Sequence, residues 1–328
     1  MGKLFMYNLK GSRILITGGA GFIGSHVIDV LLDRGVKEII VLDNYVRGQK
    51  ENVQNTSKVR LFDCDIRDRE TLFPFFKGID FCFHLAAMRI NYCIAHPKEG
   101  IEVMINGTLN VIEACLNHQI KKIVAASSAS IYGMADSFPT QETHHPYNNR
   151  TLYGACKLAN EGMFRAFNET HALNYCMHRF FNVYGSRMDT DGKYTEVLIK
   201  WYKLIQEGKQ PLIYGDGKQT MDFIHVKDVA RACVLSVESS ASDEVFNIGN
   251  ETETSLSSLC EEFLKAMQSP LQPQYIPVPE KRKKCEVLRR KADTRKASTL
   301  LNFRPELDLK TGLKEMIDWL NGLKKSPT

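Results

Sequence analysis

The chain has 328 residues, of which 43% are hydrophobic and 25% are charged, proportions that exclude an intrinsically disordered or collagen-like protein. The formal net charge is +5, and no apolar run reaches the about 18 residues that a membrane-spanning helix needs. The first ten residues contain only a three-residue apolar run, too short for the core of a signal peptide. We therefore expect a cytoplasmic protein without a membrane partner.

Short β-branched segments alternate with amphipathic segments over the first half of the chain. Strands separated by helices favour parallel βαβ units with right-handed crossovers. The predicted strands are 13–17, 38–43, 59–65, 80–86, 121–127 and 173–180, and the predicted helices lie near 22–34, 68–77, 98–117 and 151–169.

The order of elements becomes less regular after residue 180. We expect an α/β fold: a Rossmann-type, doubly wound parallel sheet in residues 1–180, with a smaller C-terminal α/β substrate lobe in residues 181–328 and a cleft between them. The second part contains predicted helices near 195–207, 226–238, 256–267, 295–301 and 310–321, and predicted strands near 211–214, 244–248 and 273–277.

Cysteine and charge patterns limit the other functions. The nine cysteines include no C-x-x-C pair, so we expect reduced thiols and no metal site. Residues 281–296 hold nine Lys or Arg against two acidic residues, a local charge of +7. This basic run predicts a solvated loop or a contact with an anionic ligand. A nucleic-acid patch is the weakest alternative because no aromatic residues are interleaved, and we expect no nucleic-acid partner.

A glycine-rich loop follows the first predicted strand and precedes a helix. Gly18, Gly21 and Gly24 in this loop allow a tight turn and a close approach of the backbone to a pyrophosphate. The second strand ends at Asp43, nineteen residues after Gly24, where a carboxylate can accept hydrogen bonds from both hydroxyls of a ribose. An acid at this place favours NAD over NADP, because a 2′-phosphate would meet like charge. The pattern predicts an NAD site.

Tyr153 and Lys157 lie one helical turn apart on one face of a predicted helix. A tyrosine has an ordinary pKa of about 10, and a neighbouring lysine helps it to act as a base by stabilising the phenolate. The serine-rich segment 127–133 follows a predicted parallel strand, at the sheet edge where such folds bind ligands. A hydroxyl there can bond a substrate oxygen that is being oxidised.

With these motifs the chain resembles the extended short-chain dehydrogenase/reductases, specifically the NAD-dependent nucleotide-sugar epimerase/dehydratase family and its UDP-glucose 4-epimerase-like members. The resemblance covers nearly the whole chain. It rests on TGGAGFIGSH (17–26), VLDN (41–44), DCDIRD (63–68), HLAA (84–87), INGTLNVIEA (105–114), SSASIYG (127–133), YGACK (153–157), RFFNVYG (179–185), IYGDGKQTMDFIHVKDVA (213–230), VFNIGN (245–250) and ADTRKASTLLNF (292–303).

The resemblance implies a role for each matching position. It implies a catalytic set of Ser128, Tyr153 and Lys157. It implies NAD contacts by Gly18, Gly21, Phe22, Ile23, Gly24, Asp43, Asn44, Asp65, Ile66, Ala86, Ala87, Arg89, Asn106, Tyr153 and Lys157. It implies substrate contacts by Ser128, Ser130, Phe181, Asn182, Tyr214, Lys283 and Arg290.

The resemblance also bears on the reaction. The family's 4,6-dehydratases carry an Asp-Glu pair directly after the catalytic hydroxyl residue, and its decarboxylases carry a Glu, where this chain has Ala129 and Ser130. An epimerase needs only the three catalytic residues. We predict an NAD-dependent 4-epimerase that acts on a UDP-hexose through a 4-keto intermediate. The alternatives are a dehydratase or other lyase that takes its acid from Glu142 or a nearby cysteine, and a non-catalytic NAD-binding module.

Departures from the family pattern concern the substrate. Met221 stands where the family has an arginine for the substrate diphosphate, and a second such arginine is replaced by Lys283 or displaced within the basic run. Either other cations of the basic run compensate for Met221, or the run is a solvated loop. Arg290 lies near the position where a large residue excludes N-acetylated sugars, and it predicts a narrower pocket or a salt bridge to an acidic sugar. The glucuronate epimerases have Thr and Arg where this chain has Asn182 and Asp189, which argues against a uronate.

The resemblance further implies a homodimer. Its interface would be a four-helix arrangement of the predicted helices near 98–117 and 151–169 from each copy.

Overall fold

A computed structural model describes residues 7–190, 196–280 and 287–323. Central strands are buried on both faces and are therefore continuously apolar, as in residues 14–16, which are fully buried. The strands are β1 (Arg13–Thr17), β2 (Glu38–Asp43), β3 (Val59–Asp63), β4 (Phe81–His84), β5 (Lys122–Ser128), β6 (Tyr175–Phe180), β7 (Asn182–Tyr184), β8 (Leu212–Tyr214), β9 (Thr220–His225), β10 (Glu244–Ile248), β11 (Glu253–Ser255) and β12 (Gln274–Ile276).

Some of the helices begin at a side-chain N-cap, as α6 does at Thr151, whose hydroxyl accepts the Gly154 amide at 3.1 Å. Within the described residues no helix combines the length and the apolar character that a bilayer crossing requires. The helices are α1 (Phe22–Asp33), α2 (Arg69–Leu72), α3 (Ile90–Ala95), α4 (Pro97–Ile101), α5 (Thr108–Asn117), α6 (Leu152–His171), α7 (Val197–Gln206), α8 (Val226–Glu238), α9 (Leu256–Ala266), α10 (Arg295–Leu301) and α11 (Leu309–Leu323).

The predicted helix near 98–117 is more complex than a single α-helix. It consists of α4, a π-helical turn at Glu102–Gly107, and α5. Three 3-10 turns complete the regular structure of the described residues, at Lys50–Asn52, Phe73–Phe76 and Ala129–Tyr132.

Seven parallel strands form the main sheet in the order β10-β6-β5-β4-β1-β2-β3. The chain winds outward in both directions from β1 and β4, so α1, α8 and α10 cover one face, while α5 and α6 cover the other. This arrangement confirms the predicted doubly wound α/β fold. In such a fold, ligands bind in the crevice outside the carboxyl ends of the strands where the winding reverses.

A smaller substructure lies beyond β6. It contains a three-stranded sheet in the order β11-β9-β7 and the parallel pair β12 and β8. Its own core joins side chains of α7, α9 and α11. However, β10, α8 and α10 pack with the main sheet, although they follow residue 180. The two predicted parts are therefore interleaved along the chain.

Candidate active site

A cavity of about 1210 Å³ opens at the carboxyl ends of β1, β2, β4 and β5 and reaches into the smaller substructure. Pockets for a single drug-sized ligand usually occupy about 300–1000 Å³, so this cavity has room for a cofactor and a second ligand. Twenty of the predicted site residues line it: Gly18, Gly21, Phe22, Ile23, Gly24, Asp43, Asn44, Asp65, Ile66, Ala86, Ala87, Arg89, Ser128, Ser130, Tyr153, Lys157, Phe181, Asn182, Tyr214 and Arg290.

The glycine loop has the geometry that the motif predicts. Gly18 has a φ of +71°, and a Cβ atom there would lie 2.6 Å from the backbone nitrogen of Ala86, so a larger residue does not fit. The next helix, α1, begins at Phe22, and no side chain of the described residues caps it. Its first N–H groups therefore border the cavity and can bind a pyrophosphate.

Two carboxylates lie at the far ends of β2 and β3. Asp43 accepts the backbone amides of Ala20 at 3.0 Å and Tyr45 at 2.9 Å, which fixes its orientation beside the glycine loop. Burial raises the pKa of the Asp43 carboxyl. The hydrogen bond from Arg67, 2.6 Å from Asp65, lowers the pKa of the Asp65 carboxyl. Asp43 keeps lone pairs free to accept hydroxyl groups of a nucleoside. Asp65 already accepts four hydrogen bonds from Asn44 and Arg67, so a nucleoside would have to replace one of them.

The predicted catalytic residues meet at the other end of the cavity. Ser128 ends β5, while Tyr153 and Lys157 lie in the first two turns of α6. Tyr153 is hydrogen-bonded to Ser128. The ammonium group of Lys157 lies 5.9 Å from the centre of the Tyr153 ring and donates to the carbonyl of Ala126 at 2.6 Å. The tyrosine therefore has a hydroxyl partner and a nearby cation.

Burial acts on both members of the Tyr–Lys pair. It raises the pKa of Tyr153, and the hydrogen bond with Ser128 and the charges of Arg47 and Arg290 oppose this rise. Burial also lowers the pKa of Lys157 to about 8. Both shifts disfavour the charged forms, because a low-dielectric site penalises charge of either sign.

A buried ion pair joins two elements next to the predicted catalytic residues. Arg179 on β6 donates to Glu161 on α6 through two nitrogens, at 2.6 and 2.9 Å, and less than a tenth of either side chain is exposed. Arg179 also donates to the hydroxyl of Tyr132, which in turn donates to Asn247 on β10. This network joins α6 and the segment after Ser128 to two strands of the sheet.

Two polar groups in the cavity lack partners. The side-chain oxygen of Asn182 and the Nε of Arg290 are shielded from water, and neither has a hydrogen-bond partner among the described residues. Burial lowers the pKa of the Arg290 guanidinium, and only the neighbouring Tyr153 acts in the opposite direction. Unpaired buried polar groups are costly, so both atoms indicate a ligand that carries a donor for Asn182 and an acceptor for Arg290.

Three charged side chains form ion pairs in the cavity, and one of them, Arg47, was not predicted from the sequence. Asp189 lies 3.8 Å from Arg47 and 3.6 Å from Arg89. Arg47 belongs to the loop after β2 and Asp189 to the segment after β7, so these ion pairs cross the cleft. Burial lowers the pKa of Arg47 to about 10. The signal for Arg47 was its place four residues beyond Asp43, in a loop at the ligand-binding edge of the sheet.

Among the described residues, one predicted site residue, Asn106, does not line the cavity. Asn106 is exposed and donates to Glu102 at 2.7 Å, because the π-helical turn directs this position outward. Val103, earlier in the same turn, lines the cavity in its place. Lys283 lies outside the described residues. Met221 on β9 does line the cavity, so a thioether stands where the family pattern has a guanidinium.

The fold and the cavity together define a dinucleotide-binding α/β protein with a Tyr–Lys pair. A family model described as the NAD dependent epimerase/dehydratase family matches residues 14–249, and the chain belongs to this family. NAD is its cofactor. The glycine cradle, the uncapped start of α1 and the carboxylate of Asp43 fit this group, since they supply amide donors for a pyrophosphate and acceptors for a ribose.

Known relatives span the whole chain. It is 34% identical over 310 residues to the "Putative UDP-glucose 4-epimerase" of Methanocaldococcus jannaschii, which covers 94% of this chain and 98% of that protein. It is 30% identical over 320 residues to the "UDP-N-acetyl-alpha-D-glucosaminuronate decarboxylase" of Bacillus cytotoxicus, covering 95% and 98% of the two chains. A solved UDP-N-acetylglucosamine 4-epimerase from Methanobrevibacter ruminantium M1, in complex with UDP-N-acetylmuramic acid, superposes with a TM-score of 0.90 at 31% identity, covering 96% and 99%.

Proposed function

We propose that this protein is an NAD-dependent nucleotide-sugar 4-epimerase that acts on a UDP-hexose. The observation that carries the proposal is the meeting of Ser128, Tyr153 and Lys157 in a cavity large enough for two ligands, with Ala129 and Ser130 where family lyases have carboxylates. The relatives named as 4-epimerases support the same reaction.

The catalytic residues divide the proton chemistry between them. Ser128 bonds the oxygen at C4 of the sugar, and Tyr153 accepts the proton of that hydroxyl. The positive charge of Lys157 stabilises the resulting phenolate. Bound NAD supplies a hydride acceptor and donor for the carbon. After the 4-keto sugar has turned in the cavity, Tyr153 returns the proton to the oxygen at C4 as the carbon is reduced on its other face. The product is the opposite epimer.

A lyase reaction is the second candidate within the family, and a decarboxylase relative speaks for it. Its acid would not be Glu142, which lines a separate cavity and accepts the backbone amide of Asn247 at 2.8 Å. A cysteine is not the acid either. Among the described cysteines only Cys64 lines the main cavity, and it lies beside Asp65, at the end where the nucleoside would bind. The described carboxylates that line the cavity are Asp43, Asp65, Glu99, Asp189 and Glu196.

The unpaired Nε of Arg290 favours a particular kind of sugar. It belongs to the same cavity as Tyr153, so its partner would be a group on the sugar itself. An acidic sugar would supply a carboxylate, the anion with which guanidinium pairs best. Asn182 and Asp189 depart from the pattern of the glucuronate epimerases, whereas Arg290 favours an acidic sugar, so UDP-glucuronate belongs among the substrates to be tested, next to neutral hexoses. A non-catalytic NAD-binding module is disfavoured, because all three catalytic side chains are present.

The functional protein in this proposal is a homodimer. Apolar side chains are exposed on the helices that the family resemblance assigns to the interface: Ile101 at the end of α4 and Leu158 on α6. A second copy of this chain would cover them.

Proton NMR of the purified protein with NAD tests the reaction directly. UDP-glucose, UDP-N-acetylglucosamine and UDP-glucuronate are supplied in turn. We expect a new anomeric signal from the C4 epimer of one of them. A product that has lost water or carbon dioxide would replace the epimerase proposal with a lyase, and bound NAD without any product from the three sugars would contradict the UDP-hexose assignment.

A further inference from the structure

Three side chains of the loop between Tyr132 and α6 converge at the surface, outside both cavities. The Nε2 atom of His144 lies 2.8 Å from Oδ1 of Asp136, and Nε2 of His145 lies 3.0 Å from Oδ2. The ligand atoms of the three residues all lie within 4.8 Å of one another. One nitrogen of each imidazole and one carboxylate oxygen thus lie close enough together to share an ion.

The hydrogen bonds of His144 define which of its nitrogens carries the proton. Its Nδ1 lies 2.7 Å from the carbonyl oxygen of His145, and a carbonyl only accepts, so Nδ1 is the protonated nitrogen. The backbone amide of Asp136 donates to Nε2 at 3.2 Å, which requires a lone pair there. The same nitrogen lies 2.8 Å from Oδ1 of Asp136, another acceptor. A proton or a metal ion between these two atoms would make the contact favourable.

One of the three side chains, His144, is buried, and the other two are accessible to solvent. The side chain of His144 is 3% exposed, and its ring packs edge-on against Tyr132, with 5.7 Å between the ring centres. Asp136 is 60% exposed and His145 50% exposed, so an ion can enter from solvent.

We propose that Asp136, His144 and His145 form a binding site for a divalent metal ion of the Zn²⁺ class, with water completing the coordination. Two imidazoles and a carboxylate are a donor set that Zn²⁺ accepts, and metal-bound histidine characteristically donates its other N–H to a carbonyl, as His144 does. His145 would carry its proton on Nδ1, so the 3.3 Å contact from the Tyr147 amide would give way to water.

Such an ion would connect residue 136 to residues 144–145. The loop that it closes joins the segment after Ser128 to Thr151, the N-cap of the helix that carries Tyr153 and Lys157. The ion would lie outside the cavity, so its role would be to hold this loop in place. The sequence analysis predicted no metal site, because adjacent histidines eight residues beyond an acid match none of the usual ligand spacings.

Equilibrium dialysis of the full, tag-free chain against ZnCl2 tests the proposal, with metal content read by mass spectrometry after treatment with a chelator. We expect one Zn²⁺ per chain. Asp136→Asn and His145→Ala remove one ligand each, and each should weaken binding at least about tenfold, the smallest loss typical of disturbing a metal's supporting residues. Both positions are at least half exposed, so the variants retain the fold. The eight described cysteines are buried and do not compete.

His171→Ala is the matched control, because His171 is an exposed histidine at the end of α6 and should leave the affinity unchanged. Substitution by Co²⁺ adds a second readout, since its visible absorption should appear in the parent chain and weaken in both ligand variants. Absence of bound Zn²⁺ would overturn the proposal and leave a proton as the cation of the cluster. Equal binding by the parent chain, Asp136→Asn and His145→Ala would overturn it as well.

Discussion

At the scale of single residues, one end of the cavity contains a tyrosine and a lysine, and burial favours the uncharged form of both side chains. Burial raises the pKa of Tyr153 and lowers that of Lys157 to about 8. The hydroxyl of Ser128 and the nearby charges of Arg47 and Arg290 lower the pKa of Tyr153 and so oppose the effect of burial on it. The tyrosine can therefore lose its proton only when these groups, and the ligands beside them, stabilise the phenolate.

Replacing Tyr153 by Phe tests the assigned base. Loss of a general base usually lowers turnover about 10²–10⁴-fold, and we expect a fall in kcat of this size, with NAD content and Tm unchanged because the ring stays in place. The rate is measured by NMR, and the cofactor is released by denaturation and measured by absorbance. A variant that kept most of the parent's turnover would remove Tyr153 from the mechanism.

The buried Lys157 makes stability depend on pH. Its pKa falls from 10.5 in the unfolded chain to about 8 in the folded protein, so the unfolded chain binds an extra proton between these values. The folded state should therefore gain stability as pH rises from 8 to 10.5. At about 1.4 kcal/mol per pKa unit the gain is about 3 kcal/mol. Below pH 8 both states hold the proton, and this contribution is constant.

Urea unfolding of the parent chain and of Lys157→Met measures this gain. Methionine is uncharged at every pH, so the free energy of unfolding of the variant lacks the pH-dependent contribution of Lys157. The difference between the two proteins should shift by about 3 kcal/mol in favour of the parent between pH 8 and 10.5. A difference that stays constant over this range would show that Lys157 keeps its ordinary pKa.

At the scale of elements, the catalytic geometry depends on how α6 is attached to the sheet. The bidentate pair of Arg179 and Glu161 joins α6 to β6, and Ser127, next to the catalytic serine, also donates to Glu161. A buried pair of this kind is destabilising when one partner is lost, because the other charge remains without compensation. The pair thus couples folding to the placement of Ser128 and Tyr153.

Glu161→Gln should lower the free energy of unfolding by about 3 kcal/mol or more, the usual cost of breaking a buried pair. The control is Glu262→Gln, which breaks a more exposed pair with Lys265 on α9 and should cost less than about 1 kcal/mol. Both are compared by urea denaturation at pH 7. Similar costs for the two variants would contradict the bracing role of the Arg179–Glu161 pair.

Most strands and helices of this fold were predicted from the sequence, and the elements that were not predicted have physical reasons for it. The glycine spacing and the runs of β-branched and apolar residues predicted the main sheet closely, because its strands are largely buried. The short strands β7, β9 and β11 were not predicted. In β9 the strand-disfavoured Asp222 is accommodated because its carboxylate accepts the backbone amides of Asn250 and Ala292. Such contacts arise from distant segments, as do the ion pairs of Asp189, so local patterns do not reveal them.

At the scale of the whole molecule, three exposed apolar side chains lie on the neighbouring helices α3, α4 and α6. Ile94 on α3 is 62% exposed, Ile101 is 43% exposed and Leu158 is 36% exposed. Isolated exposed apolar residues are ordinary, but these three lie on neighbouring helices that contact one another. Burial of this surface against a second copy would remove it from water, which favours association.

Light scattering coupled to size-exclusion chromatography should give twice the 37.3 kDa mass of the chain. The double variant Ile94→Arg and Ile101→Arg places charges on the proposed interface and should elute as a monomer. Leu300→Arg is the control, because Leu300 is similarly exposed at 39% but lies on α10. A monomeric parent chain, or a dimer that survives the double variant, would contradict the proposed interface.

The position of β10 has a consequence for synthesis on the ribosome. This strand completes the sheet beside β6, yet its residues follow those of β6 by a long stretch of chain. A nascent chain that has emerged only as far as residue 180 therefore presents the backbone of β6 as an open edge, which can pair with other chains. Until β10 emerges, this edge of the sheet stays unpaired and favours association with other chains.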